Sequence, residues 1–229
     1  PMGRDARGVR GMKLPESQSL VSMLVADDVA LTPPTLNVTG LADDSAGRLI
    51  VTAREDPMDQ GVYALASDRT LTPLADAPGV HSVAAGIGGH VIASAGPDRL
   101  GTRFEARLES GTAVITSLAE SPVVEPVVAF HRVGPRALAC AVLFPTGHVP
   151  GSARLPVVMA PYGGPHHARV VHAAGAFAPD QWLADQGFAV VVVDGAGTPG
   201  RGPAFEYEVR HDLATRVLDD QVAALQALA

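Results

Sequence analysis

Gly187-Phe188-Ala189-Val190-Val191-Val192-Val193-Asp194-Gly195-Ala196-Gly197-Thr198 decides the fold. Phe188 to Val193 is an unbroken apolar run with no alternation of polar and apolar residues. A strand of that kind is buried on both faces, as in a sheet covered by helices. Just upstream, Phe177–Gln186 has helical character with Pro179 near its start, and Gly187 stands where a left-handed C-terminal cap belongs. Trp182, a large apolar residue on that helix, is expected to pack it onto the sheet. Before the helix, Ala137–Phe144 and Leu155–Ala160 read as strands, the second ending in Pro161-Tyr162-Gly163-Gly164-Pro165. Downstream, Val217–Ala229 is predicted to be a helix in which Leu218, Val222, Leu225 and Ala229 repeat at i, i+4, i+7 and i+11, with Asp219 and Asp220 in the first turn. Strands alternating with helices around a doubly buried run make an α/β sheet, and another buried strand is the element expected next.

The sequence from Ser19 to Leu118 has a different texture. Short apolar runs (Leu49–Ala53, Gly61–Ala66, Val80–Ala85, His90–Ala95, Thr112–Leu118) are broken by Gly, Pro, Asp and Asn, which reads as short strands joined by turns. A faint echo with a period of roughly forty residues suits four-stranded propeller blades. A two-sheet sandwich fits the pattern equally well. Between Glu120 and Pro135 the residues Pro122, Pro126 and Gly134 mark a connection between modules. The expected division is therefore an irregular N-terminus over 1–18, an all-β unit over 19–135 and an α/β unit over 136–229.

Composition narrows the function. A net charge of −7 lacks the concentrated basic surface that a nucleic-acid or anionic-membrane partner needs. The N-terminus has no apolar run of secretory type, and the longest apolar stretch is far too short to span a bilayer, so a soluble cytoplasmic protein is expected. Cys140, the only cysteine, sits among apolar neighbours in a strand-like run and reads as a buried, inert thiol.

The glycine pair after the Leu155–Ala160 strand lets the backbone turn sharply and approach a ligand. A tyrosine at that corner can place its hydroxyl where negative charge develops during attack on a carbonyl. Pro161-Tyr162-Gly163-Gly164-Pro165-His166, followed by Asp194-Gly195-Ala196-Gly197-Thr198, Gly200-Arg201-Gly202 and then Asp219-Asp220-Gln221, resembles the opening of the catalytic domain of the prolyl oligopeptidase family. The likeness is greatest to its dipeptidyl-peptidase IV-like branch. It is strong over Arg136–Ala229 and compatible upstream.

The resemblance implies the C-terminal blades of a β-propeller followed by the N-terminal part of an α/β-hydrolase domain. It implies a cofactor-free, metal-free serine peptidase acting on short peptides, with Tyr162 as side-chain donor to the oxyanion and Gly163, Gly164, His166 and His167 as candidates to line the substrate cleft. A peptide substrate and a homodimer are the partners it suggests. Ala196 departs from the family pattern, which has arginine there. An acidic partner of that arginine would then be left alone here or be met by Arg201.

The triad is the larger departure. No Gly-x-Ser-x-Gly occurs, and Ser152, after Gly151, lacks the second glycine. The nucleophile, aspartate and histidine are expected beyond Ala229, so this chain is expected to be inactive alone. Two other readings remain: a non-catalytic binding or interaction module, and an esterase or acylaminoacyl hydrolase on the same scaffold.

Other motifs carry less. His166, His167 and His172 lack metal-ligand spacing. His211 and Asp212 are adjacent, and neighbours on a helix would be expected to point apart. Gly195-x-Gly197-x-x-Gly200 follows a strand, but Pro199, Arg201, Gly202 and Pro203 prolong the loop where a dinucleotide site needs a helix to begin.

Overall fold

The computed structural model describes residues 25–26, 29–30, 32–33, 35–44, 48–76 and 78–229; the irregular N-terminus expected over 1–18 lies outside them. A two-residue pair, β1 (Val25–Ala26) and β2 (Val29–Ala30), precedes two antiparallel meanders. The first runs β3 (Asn37–Asp44), β4 (Arg48–Arg54), β5 (Gly61–Leu65) and β6 (Leu71–Ala75) in spatial order. The second runs β7 (Val80–Gly86), β8 (Gly89–Ala95), β9 (Arg103–Leu108) and β10 (Gly111–Ile115). These two four-stranded units are propeller blades, begun at Asn37 and Val80, which is the spacing that the echo in the sequence suggests.

The third sheet is mixed, in the order β11 (Val128–Val133), β12 (Leu138–Leu143), β14 (Ala189–Asp194), β13 (Val157–Met159). Only β13 and β14 pair in parallel. A 3-10 turn (Ala174–Phe177) leads into α1 (Ala178–Ala184), and α2 (Pro203–Tyr207) and α3 (Thr215–Leu228) follow β14. The sheet recruits β11, upstream of the boundary at 136, because Val128 to Val133 pairs along the whole of β12.

Alternation within the buried strands divides the core in two. Ala139, Ala141, Leu143, Val190 and Val192 pack under Phe177, Ala184 and Val170. Leu138, Cys140, Val142, Val191 and Val193 pack on the other face against Phe205 and Ala224. Each of the larger of these side chains contributes about 1.5–3 kcal/mol when fully buried.

Several sequence expectations are corrected here. Trp182 does not pack its helix onto the sheet: it is 59% exposed, and Phe177, Gln181 and Ala184 face inward instead. Gln181 is tolerated there because its amide accepts from Val127 N–H and donates to Phe144 O and Asp185 Oδ1. In α3 the apolar stripe Leu218, Val222 and Leu225 faces outward, while Val217, Asp220, Gln221 and Ala224 are buried. Asp219 and Asp220 fall beyond the first turn, because the helix begins at Thr215 with Asp212 Oδ1 accepting from Ala214 and Thr215 N–H. β13 is partly buried, and its outer edge pairs with no other described strand.

The β4–β5 loop joins the two textures. Met58 inserts into the core beneath β12 and β14. Asp59 accepts from Gly79 N–H at the start of the second blade and pairs with His172 Nδ1, 2.8 Å away, on the α/β side. Asp56 holds Arg132 of β11. One hairpin loop thereby fixes both blades to the α/β unit.

Candidate functional site

Asp194 ends β14 and organises the loop that carries Tyr162. Its carboxylate accepts from Arg169 N–H at 3.0 Å and Val170 N–H at 2.9 Å, and its backbone bridges to Tyr162. Burial pushes this carboxyl above the usual range; the two N–H donors and the nearby His167 and Arg169 oppose that shift without cancelling it. Arg169 in turn donates to Ala160 O and grips Asp180 of α1 through Nη2 at 2.8–2.9 Å, tying the end of β13 to the helix.

Tyr162 is half-buried, and its hydroxyl donates to Pro165 O at 3.1 Å within its own loop. The His167 ring meets it edge-on, centroids 5.5 Å apart. Gly163 must be glycine for a steric reason: a Cβ would sit 2.4 Å from Val217 Cγ1 of α3. Gly164 is buried, and both His166 and His167 are exposed, His166 at φ +84°. The five candidates thus share one loop but diverge: Gly163 abuts α3, His167 covers the phenol, and His166 faces the first blade.

The Asp194–Thr198 turn closes through Thr198 Oγ1 donating to Gly195 O, and Ala196 is fully buried against Val209 and Val217. Asp220 Oδ2 accepts from Ala196 N–H at 2.8 Å, so a carboxylate of the chain itself occupies the place an anion would take in a dinucleotide loop. Asp220 is not left alone, nor does Arg201 reach it. Arg136 Nη1 donates to both its oxygens at 2.7 and 2.9 Å, and Nη2 donates to both oxygens of Glu208. Arg201 instead donates to Arg136 O and stacks over the Phe205 ring at 4.3 Å, with Arg136 at 4.9 Å from the same ring. Burial works against the Arg136 charge, and the two carboxylates outweigh it and raise its pKa. Sequence reading missed Arg136 because its partners lie more than seventy residues away.

Beside His166 a cleft of about 470 Å³ opens between the first blade and the α/β unit, lined by Asn37, Thr39, Arg54, Gln60, Gly200 and Glu206 among others. A second, apolar groove of about 410 Å³ runs between Met159, Pro161 and Gly163 and the outward stripe of α3.

Residues 177–229 match the family model described as the prolyl oligopeptidase family. Over those residues the chain is similar to the prolyl oligopeptidase family. Its fold is shared with solved peptidase structures. Dipeptidyl peptidase 4 of Porphyromonas gingivalis superposes with a TM-score of 0.75 at 22% identity over 90% of this chain and 32% of that one. A puromycin-hydrolyzing peptidase of Mycobacterium tuberculosis gives 0.68 at 22% identity over 89% of this chain and 34% of that one. The chain therefore spans about a third of the length of these structures. Among curated proteins none matches it. No helix among the described residues is long and apolar enough to cross a membrane.

Proposed function

We propose that this chain is the propeller-to-catalytic-domain segment of a serine peptidase of the dipeptidyl-peptidase IV-like branch, which cleaves short peptides through an acyl-enzyme. The observation that carries this reading is the Tyr162-Gly163-Gly164-Pro165 loop, bridged to Asp194 immediately ahead of a turn that lies within the family match. In the reaction, Tyr162 would release Pro165 O and donate its hydroxyl to the tetrahedral oxyanion, with Asp194 and Arg169 holding the loop in place. The nucleophilic serine, its histidine and its aspartate would lie C-terminal to Ala229. Peptide is the proposed substrate, and a homodimer and a cytoplasmic location stay part of the proposal.

A binding or interaction module without catalysis is the second reading. It is favoured by the apolar groove beside the edge of β13, which pairs with no other described strand and is a surface fit to receive one. Hydrolysis of aminoacyl- and dipeptidyl-proline reporter substrates, by this chain and by a chain extended downstream, separates the two. Cleavage by the extended chain alone supports the peptidase. Cleavage by neither supports the module, and cleavage by the shorter chain would overturn the placement of the nucleophile.

A further inference from the structure

The cleft between the first blade and the α/β unit is lined by two opposite charges, Arg54 and Glu206, each with hydrogen-bonding capacity that the described residues do not fill. Arg54 is clamped on the blade side, Nε to Gln60 Oε1 at 3.4 Å and Nη1 to Pro57 O at 3.1 Å, and its Nη2 makes no hydrogen bond with another described residue. Burial lowers its pKa, and the attraction of Asp194 partly restores it. On the opposite wall, Glu206 of α2 is partly buried, and its side chain makes neither a hydrogen bond nor an ion pair among the described residues. Asn37 donates through Nδ2 to Gly200 O at 3.2 Å, which leaves Oδ1 free to accept. A volume of about 470 Å³ is within the range of small-ligand sites.

Partly desolvated charges whose hydrogen-bonding capacity is only partly met are costly to maintain, and a ligand that supplies both complements at once lowers the cost. We propose that this cleft binds a small peptide zwitterion, a free dipeptide, with its carboxylate on Arg54 and its ammonium on Glu206. The amide N–H between them would meet Asn37 Oδ1. His166 belongs to both this cleft and the Tyr162 loop, so an occupied cleft sits next to the candidate oxyanion donor. The choice of a peptide as ligand rests on the peptidase reading; the charge pattern does not.

The test is calorimetric titration of the full-length protein with alanyl-alanine, its C-terminal amide and its N-acetyl form, with reporter-peptide hydrolysis measured on the same preparation. Saturable binding of the free dipeptide is expected, weakened about tenfold by either cap, since each removes one charge-assisted contact. Arg54→Gln should weaken the free dipeptide and abolish the effect of amidation. Glu206→Gln should abolish the effect of acetylation and, lying on a surface helix, serves as the deciding variant if Arg54→Gln fails to fold. Equal affinity for all three ligands, or no saturation up to about 10 mM, overturns the proposal. Binding without hydrolysis would count against the peptidase reading and leave the zwitterion site standing.

Discussion

Replacing Arg136 with methionine strands Asp220. The Asp220 side chain is 4% exposed and would keep only the Ala196 N–H, losing two bonds of 2.7 and 2.9 Å. Breaking a fully buried pair costs about 3–5 kcal/mol. Arg136 is itself 28% exposed, so water can enter the gap it leaves, and the cost falls to about 2–3 kcal/mol. The half-exposed pairing with Glu208 and the stacking on Phe205 add about 0.5 kcal/mol each. With a urea slope of about 2 kcal/mol per M, the unfolding midpoint should drop by about 1.5–2 M. Trp182 is the only tryptophan of the chain and lies in α1, so its fluorescence reports on the α/β unit. Adding Asp220→Asn to the variant removes the stranded charge and should recover most of the loss. A midpoint within about 0.2 M of the parent, or strictly additive effects in the double variant, would refute the coupling.

On the peptidase reading, Tyr162→Phe should lower kcat in the full-length protein about a hundredfold with little change in KM, and rates within twofold would remove Tyr162 from the chemistry. Asp194→Asn should destabilise the fold by about 1–3 kcal/mol, because an amide cannot accept through both of its terminal atoms from the Arg169 and Val170 N–H groups. The folded-state pKa of Asp194 is raised, so the folded state holds its proton more tightly than the unfolded state, and the aspartate's contribution declines as pH rises from the ordinary carboxylate range through the raised value. The difference in urea midpoint between the parent protein and the Asp194→Asn variant should therefore narrow from about pH 4 upward, and a widening difference contradicts the raised pKa. Burial pushes the Cys140 thiol up to about 12, so a thiol reagent at about pH 8 should label it only after unfolding, and rapid labelling of the folded chain would contradict its burial. Gly163→Ala should destabilise the packing of the Tyr162 loop on α3 by about 1–3 kcal/mol, and an unchanged melting temperature would show that Val217 yields freely.

The doubly buried strand, the blade-like hairpins and the Tyr162 loop are legible because each is written in contiguous residues. Six apolar residues ending at Asp194, or a glycine pair directly after a tyrosine, leave little local choice of structure. What escapes the sequence depends on distant partners. The helix α3 buries Asp220 and Gln221 because Arg136, Ala196 N–H and Val193 O satisfy them, and nothing in the helix itself announces those groups. Its apolar stripe faces out toward the open edge of β13 for the same reason. Arg54 and Glu206, from a blade and from a short helix, come to one cleft only once Met58 and Asp59 have seated the β4–β5 loop against the α/β unit.

The most direct test of the central claim is labelling of the full-length protein with a fluorophosphonate probe, followed by mass-spectrometric mapping of the adduct. The account predicts a single modified serine C-terminal to Ala229. An adduct on any of the 229 residues of this chain, or no adduct in a protein that still hydrolyses the reporter peptides, would contradict it.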